Sequence, residues 1–202
     1  MTRKANPDIP KRILEEAEAI TVSAGFEAVN MRFIAKRVGV SATIIYHYFK
    51  SKDDLLFQLQ LTAAEKLNGR IRGLEHHPDP HEALHILGRE YIAFAEHNPQ
   101  LYRLLLSNMG GGKLTEEEHP VLFYTYQVAR QCLERMAAGG KFAVPPAYGA
   151  LMGWVMLHGF SSLLLAGNLE LAEGMKREEL KEVFFQFYSS APNPTSTTQG
   201  GT

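Results

Sequence analysis

Residues 30–52, NMRFIAKRVGVSATIIYHYFKSK, constrain the fold most, because they encode two short helices on either side of a glycine. Asn30 is a favourable N-cap for a helix in which Ile34 and Val38 share one apolar face. Gly39 can adopt the left-handed conformation that ends a helix sharply. The pattern therefore predicts a helix that stops at Gly39, then a tight turn, then a second helix.

The second helix has two distinct faces. Ser41 is its N-cap, and Ile45 and Phe49 fall on one apolar face of a 3.6-residue wheel. A helix of only about seven residues is marginal alone, so this apolar pair must dock on other helices. The opposite face carries polar and aromatic side chains that need a binding partner: Thr43, Tyr46, His47 and Lys50.

Two short helices joined by a tight turn are typical of a helix-turn-helix DNA reader, whose second helix enters the major groove. Tyrosine and histidine hydrogen-bond to phosphates, and Ile44 is placed to contact a thymine methyl group. Ser51 begins a third helix with Asp54 three residues later, an arrangement like a capping box. Lys52 opposes the dipole of that helix unless it holds a phosphate.

Three segments in this order resemble the TetR-type transcriptional regulators: FIAKRVGVS at 33–41, YHYF at 46–49 and KDDLL at 52–56. The resemblance is strong over residues 11–56, and the family's length and all-helical plan fit the rest of the chain. It implies base or backbone contacts from the second helix and a phosphate contact from Lys52. Together with the residues' own pattern, it predicts DNA contacts from Arg32, Ser41, Ala42, Thr43, Ile44, Tyr46, His47, Tyr48, Lys50 and Lys52.

Two positions depart from the usual pattern of this family. Thr43 stands where glycine or proline is frequent, and Ile44 stands where a small hydroxyl residue is common. DNA binding is still expected, but the operator sequence cannot be inferred from the family. The alternative that the segment is only a compact helical hairpin leaves its exposed aromatic side chains without a function.

Charge is distributed unevenly along the chain of 202 residues, whose formal net charge is −1. Residues 1–52 hold nine Lys or Arg and five Asp or Glu, whereas residues 53–202 hold twelve and seventeen. The basic end is expected to face DNA, and a short arm with Arg3 and Lys4 is a further candidate for contact. Cys132 is the only cysteine, and no charged-then-apolar leader opens the chain. These features predict a cytoplasmic protein without an internal disulfide.

The remaining sequence predicts helices separated by loops, with no strand and no internal repeat. The predicted domains are a DNA-binding head at 1–55, an effector-binding and dimerisation body at 56–190 and a disordered tail at 191–202. The predicted fold class is all-α. Helices are expected at 9–24, 52–73, 80–97, 99–108, 116–138, 145–166 and 176–189.

Residues 142–169 contain no Lys, Arg, Asp or Glu and include the GxxxG pattern of Gly149 and Gly153. Such a length is compatible with a membrane span, but the two prolines at 145–146 and the polar His158 argue against insertion. We predict a helix that serves both the core and a subunit interface. Val183, Phe184 and Phe187 are expected to complete that interface.

Residues 154–159, WVMLHG, resemble the C-terminal effector domain of one TetR-type subgroup named for Trp, His and Gly. The resemblance implies an inducer-binding and dimerising body. His158 lies one turn after Trp154 and is either the polar anchor of a pocket or a satisfied core histidine. Further pocket candidates, which are equally compatible with a core, are Phe94, Tyr102, Phe123 and Tyr126.

An enzyme is the main alternative class, because His81, Glu82 and His85 match the HExxH pattern of zinc hydrolases. Pro80 places His81 at the very start of its helix, and no strand is available to bind a substrate. Chance explains the match better, although His76 and His77 lie close by and favour incidental metal binding. The glycine-rich residues 110–113 lack the spacing of a phosphate-binding loop. The candidates for a third zinc ligand, none well spaced, are Glu90, His97 and His119.

The sequence therefore predicts a homodimeric regulator of transcription without a cofactor, a metal site or enzymatic activity. Its two heads are expected to bind a palindromic operator with half-sites about 34 Å apart or a multiple of that distance. We expect a repressor that a small apolar or aromatic ligand releases from double-stranded DNA. A DNA-binding protein without a ligand switch is the nearest alternative.

Overall fold

The computed structural model describes residues 8–107, 114–138 and 144–189, except for the side chains of residues 171 and 187–189. Most of these residues are α-helical and none of them lies in a strand, which confirms the predicted all-α fold. Two short 3-10 turns, Phe26–Ala28 and Leu74–His76, accompany the α-helices. The helices are α1 (Asp8–Ala24), α2 (Met31–Val38), α3 (Ala42–Tyr48), α4 (Lys52–Ile71), α5 (Pro80–His97), α6 (Pro99–Leu105), α7 (Glu118–Leu122), α8 (Tyr124–Ala138), α9 (Pro146–Leu165), α10 (Asn168–Glu173) and α11 (Arg177–Ser189).

The described residues form two compact units, and the chain passes between them more than once. The first unit comprises Met1–Lys66 with Asn98–Val121, and the second comprises Leu67–His97 with Leu122–Thr202, in each case as far as these residues are described. Helix α4 runs without a break through the predicted domain boundary at residue 55. The boundaries at 55 and 190 therefore stay predictions.

The first unit packs α2 and α3 on α1, with α4 and α6 completing its core. The apolar stripe of α1 buries Ile13 and Ala17 fully, and Ile34 from α2 and Ile45 from α3 pack in the same cluster. Gln60 holds α4 to the end of α6, because its amide nitrogen donates to the carbonyl oxygens of Leu104, Leu105 and Ser107 at 2.9 to 3.1 Å. Burial of the amphipathic faces stabilises helices that are too short to persist alone.

The second unit is built on α5, α8 and α9, which pack against one another. Gly88 lets another helix approach α5 closely, since an added Cβ would lie 3.1 Å from a ring atom of Phe185. Arg135 joins α8 to the segment before α5 by donating to the carbonyl oxygens of Glu75 and His77 at 3.0 and 2.8 Å. These contacts join α8 and α11 to α5 and to the segment before it.

Two helices differ from the sequence-based expectations. The helix expected over 116–138 is broken at Phe123 into α7 and α8, at the place where the chain passes from one compact unit to the other. The stretch expected to be a loop before residue 176 contains α10, flanked by Gly167 and Gly174, both in left-handed conformation. Leucine, alanine and glutamate between these glycines favour the short helix. The predicted basic arm, the glycine-rich residues 110–113 and the tail at 191–202 lie outside the described residues.

Helix α9 is long and apolar enough, by length and composition alone, to cross a membrane, and no other helix among the described residues meets that test. Its most apolar window has a mean hydropathy of 1.3 and is only 22% buried. One such helix is weak evidence for a membrane protein, since helices of soluble proteins have the same composition. Ala150, Leu157 and Leu164 face the core, while the opposite side of α9 exposes Tyr148, Leu151, Met152, Val155 and Leu163.

Candidate nucleic-acid interface and effector site

Helix α2 has the start and the end that its sequence predicts. The Asn30 side chain accepts hydrogen bonds from the backbone N–H groups of Arg32 and Phe33, both at 3.0 Å. Gly39 ends the helix with φ of 78°, and its N–H donates to the carbonyl of Ala35 at 3.0 Å. These two caps fix the direction in which the chain enters the next helix.

Helix α3 is docked by its apolar face. Ile45 is fully buried and Phe49 is almost so, while the Ser41 hydroxyl accepts a hydrogen bond from the Ile44 N–H at 3.4 Å. Arg12 supports the turn before α3, because its guanidinium donates to the carbonyl of Val38 at 2.8 Å. The docked face leaves the opposite side of α3 pointing to solvent.

The predicted DNA-contacting residues lie mostly on that solvent side or next to it. Tyr46 is 49% exposed and Ile44 is 36% exposed, although both are large apolar or aromatic residues. The rings of His47 and Tyr48 meet edge to face at 5.3 Å. Arg32, Ser41, Thr43, His47 and Lys50 are exposed, whereas Ala42, Tyr48 and Lys52 are half-buried.

Lys52 has a protein partner that the sequence did not reveal. Its ammonium donates to the backbone carbonyl of Glu27 at 2.7 Å, across 25 residues of chain. This contact uses one of the three N–H donors of the Lys52 ammonium. The other two can hydrogen-bond to a phosphate. The predicted cap of α4 is present, because the Asp54 N–H donates to the Ser51 hydroxyl at 3.0 Å and the Asp54 carboxylate accepts from the Lys50 N–H at 2.7 Å.

Phe33 is an exposed aromatic residue of the first unit. The helical spacing of apolar residues in α2 did not predict a role for it. Its ring is 51% exposed and lies 6.0 Å from the guanidinium carbon of Arg37. Arg37 in turn forms an ion pair with Glu16 at 2.8 Å. The motif at 33–41 contains Phe33, but only the structure shows that its ring is exposed beside a cation.

Four of the six predicted effector-site residues lie together in the second unit. The Trp154 ring meets the rings of Phe123, Tyr126 and His158 edge to face, with centroids 6.0, 6.4 and 4.7 Å apart. Tyr91, which the sequence did not single out, joins them through a hydrogen bond of 2.5 Å between its hydroxyl and Nδ1 of His158. Tyr91 and His158 are 67 residues apart, so no local pattern predicts this contact. We call these five side chains the aromatic cluster.

The other two candidates are core residues of different units. Phe94 on α5 and Tyr102 on α6 are each 1% exposed. Phe94 belongs to the second unit and Tyr102 to the first.

Burial keeps the imidazole of His158 neutral. It lowers the pKa of His158 from 6.5 to about 4, because desolvation penalises the charged ring. On the same face of α9, Ser161 is 1% exposed, and its hydroxyl has no hydrogen-bond partner among the described residues. The cluster thus combines aromatic surface with uncharged polar groups.

The HExxH residues do not form a zinc site with three protein ligands. The rings of His81 and His85 are 4.9 Å apart on α5, and burial followed by the charge of His81 lowers the pKa of His85. Glu90 pairs with Arg70 at 3.1 Å, and His97 bonds to the carbonyl of Ala93 at 2.6 Å through Nδ1. No group of three metal-binding side chains occurs within 8–107, 114–138 and 144–189.

A groove of about 550 Å³ lies between α5 and α11, and its lining contains none of the predicted effector residues. Lys181 crosses it to Glu96 at 3.1 Å, and the Arg89 guanidinium lies 5.7 Å from the ring centroid of Phe185. Both contacts link the two helices. The groove is lined by charged residues of both signs and does not resemble an apolar pocket.

A capped helix-turn-helix with an exposed polar and aromatic face, followed by a helical body, defines a DNA-binding regulator. A model described as bacterial regulatory proteins of the tetR family matches residues 13–59. A second model, described as a tetracyclin repressor-like C-terminal domain, matches residues 84–186, about half of the chain. The protein belongs to the TetR family of transcriptional regulators, which are not enzymes, so the zinc hydrolase alternative is set aside.

Named relatives share parts of this chain. The HTH-type transcriptional activator FasR of Mycolicibacterium smegmatis is 33% identical over 98 residues, which are 48% of this chain and 45% of that protein. The HTH-type transcriptional repressor KstR of Rhodococcus jostii is 34% identical over 70 residues, 35% of this chain and 33% of that protein. The chain therefore spans less than half the length of either protein.

Solved structures share the fold over almost the whole chain. FadR of Bacillus subtilis, in complex with stearoyl-CoA, has a TM-score of 0.67 at 15% identity and covers 90% of this chain and 98% of its own. A protein from Saccharomonospora viridis in complex with choline has a TM-score of 0.68 at 17% identity and covers 90% and 96%. These likenesses show the fold alone. The descriptions of the two matching models do not mention the Trp-His-Gly subgroup. Membership of that subgroup therefore stays a prediction.

Proposed function

We propose that α3 is the recognition helix of this regulator and lies in the major groove of its operator. The observation that carries the proposal is the division of α3 into a buried face, with Ile45, and an exposed face, with Ile44 and Tyr46. The exposed face offers hydrogen-bond donors to phosphates and an apolar contact for a thymine methyl group. Arg32, Lys50 and Lys52 supply positive charge beside it.

We further propose that two copies of the chain associate through α9. The exposed stripe of this helix, which includes Leu151, Met152 and Val155, contains no charged residue and is too apolar to favour contact with water. Gly159 lies on the same side and has open space where a Cβ would point, so a facing helix can approach closely. A two-fold symmetric pair presents two recognition helices, which suits a palindromic operator with half-sites about 34 Å apart or a multiple of that distance.

The effector is proposed to bind at the aromatic cluster. Trp154, Phe123 and Tyr126 provide apolar surface, and the Tyr91 hydroxyl with His158 provides polar groups. A ligand that binds the DNA-free conformation more tightly releases the operator. A thousandfold loss of operator affinity needs about 4 kcal/mol of differential binding energy.

The proposed action is repression in the cytoplasm, by occupation of a promoter until the effector binds. Of the two named relatives, one is a transcriptional activator and the other is a transcriptional repressor. Transcription in vitro from the bound promoter distinguishes the two. Repression predicts less transcript when the protein is added and recovery of the transcript when the effector is added.

The decisive experiment measures fluorescence anisotropy of DNA fragments from upstream of the chain's own and neighbouring genes, with unrelated DNA as the control. Tight, salt-sensitive binding to one palindromic fragment is the expected result. The slope of log affinity against log salt counts the phosphate contacts. Equal affinity for every fragment, including the unrelated DNA, contradicts sequence-specific regulation.

A further inference from the structure

Ser161 places a hydroxyl group in the core of the second unit. It is 1% exposed on the core side of α9, and its oxygen has no hydrogen-bond partner among the described residues. A serine in a helix can satisfy itself by donating to the carbonyl four residues earlier, and Ser161 does not do so. A buried hydroxyl without a partner is destabilising, so the position is costly unless something else satisfies it.

Ser161 lies close along the helix to the polar part of the aromatic cluster. It follows His158 by three residues, which places both side chains on one face of α9. His158 is hydrogen-bonded to Tyr91 from α5, and Trp154 lies one turn before His158. Ser161 therefore extends a line of polar groups that begins beside the aromatic surface.

No Lys or Arg side chain is buried in the described part of this core. Helix α9 contains no Lys, Arg, Asp or Glu. Over residues 8–107, 114–138 and 144–189, the buried polar side chains are also without charge: Thr21, Gln60, Asn68, Thr125 and Ser161. An anionic ligand group buried in such surroundings loses its hydration without gaining a counter-ion. This penalty is limited to anions, because Glu75 has a buried carboxylate oxygen without a hydrogen-bond partner among the described residues.

We propose that the effector carries an uncharged polar group, such as an alcohol, ketone or ester, that hydrogen-bonds to the Ser161 hydroxyl while its apolar part packs on Trp154. The inference rests on the effector site proposed above and adds the chemical class of its ligand. It excludes carboxylates and phosphates from the buried end of the site.

Two probes with the same ten-carbon chain test the selectivity: 1-decanol and decanoate. Trp154 is the only tryptophan in the chain, so its fluorescence reports binding at this site without labelling. The full-length protein is titrated with each probe at pH 7.5. We expect 1-decanol to bind at least tenfold more tightly than decanoate. Equal affinity for the two probes, or no binding of 1-decanol, overturns the proposal.

Ser161→Ala separates a ligand-binding role from a structural one. We expect it to weaken 1-decanol binding about tenfold, the value of one hydrogen bond, while raising the Tm of the ligand-free protein. Ser162→Ala makes the same change on the exposed side of α9 and is expected to alter neither quantity. A Ser161→Ala protein that binds 1-decanol like the wild type, or that has a lower Tm, contradicts the role of Ser161.

Operator binding is measured separately in the same samples. If 1-decanol binds as expected but the operator complex survives at saturation, the proposed switch is wrong and the ligand class stands. If the protein binds its operator while 1-decanol leaves Trp154 fluorescence unchanged, the regulator stands and the ligand class is wrong.

Discussion

The hydroxyl of Tyr91 and Nδ1 of His158 lie 2.5 Å apart, joining α5 to α9 inside the second unit. Burial lowers the pKa of this histidine to about 4, so the folded protein holds a neutral imidazole at a pH where the unfolded chain is already protonated. The stability that this neutral ring contributes is complete above about pH 6.5 and is lost as the pH falls towards 4. A shift of this size corresponds to at most about 3 kcal/mol.

Urea unfolding between pH 7.5 and 4.5 checks that dependence. The wild type is expected to lose stability steadily below pH 6.5, and His158→Gln is expected to lose less over the same interval. The two proteins are measured side by side over this interval. Parallel curves for wild type and His158→Gln would show that His158 does not titrate differently in the folded state.

Ile44 and Ile45 are neighbours with opposite surroundings, which makes them a matched pair for separating binding from folding. Ile45 is fully buried, and Ile45→Ala is expected to lower the free energy of unfolding by about 2–5 kcal/mol. Ile44 is 36% exposed, and Ile44→Ala is expected to change stability by no more than about 0.5 kcal/mol. Denaturant unfolding followed by operator titration should show that only Ile44→Ala weakens binding in a protein of normal stability.

Tyr46→Ala removes an exposed ring from the proposed recognition face. We expect at least a tenfold loss of operator affinity with an unchanged Tm, because the side chain is 49% exposed and contributes little to the core. Val22→Ala, at another exposed apolar position of the first unit, is the matched control. Gel-shift titration of both variants decides the point, and unchanged affinity in Tyr46→Ala would refute the contact.

Lys52 can act through DNA, through Glu27 or through both, and salt dependence separates these roles. Lys52→Met is expected to weaken operator binding and to reduce the slope of log affinity against log salt by about 1. Lys176→Met, an exposed lysine of the second unit, should leave the slope unchanged. A lower Tm with an unaltered slope would mean that the 2.7 Å contact with the Glu27 carbonyl is the whole role of Lys52.

Val155→Glu tests the proposed association through α9. A carboxylate in the exposed apolar stripe loses hydration when a facing helix covers it, so we expect light scattering to show monomers where the wild type shows dimers. Val22→Glu is the control, since Val22 and Val155 are 55% and 52% exposed. Dimers in both variants would place the interface elsewhere.

Local chemistry was enough to predict the helix-turn-helix. The caps at Asn30 and Ser41 and the left-handed Gly39 act within four residues, so the sequence specifies them directly. Ile45 and Phe49 were likewise predicted to be buried from helical spacing alone. The observed bounds of α5, Pro80 and His97, also agree with the prediction.

Contacts between distant segments could not be predicted in this way. The partner of Lys52 is a backbone carbonyl 25 residues away, and the partner of His158 is Tyr91, 67 residues away. The break at Phe123 coincides with the passage of the chain from one unit to the other. Spacing placed Tyr102 among the pocket candidates, and this assignment stays a prediction.

The uncharged stripe on α9 has a consequence for how such a regulator responds to its own abundance. If two folded chains must meet before both half-sites are occupied, the concentration of the active form rises with the square of the chain concentration while monomers predominate. Halving synthesis then lowers the active form about fourfold by the same mass-action relation. Operator occupancy would therefore have a threshold in protein dose, even in the absence of any ligand.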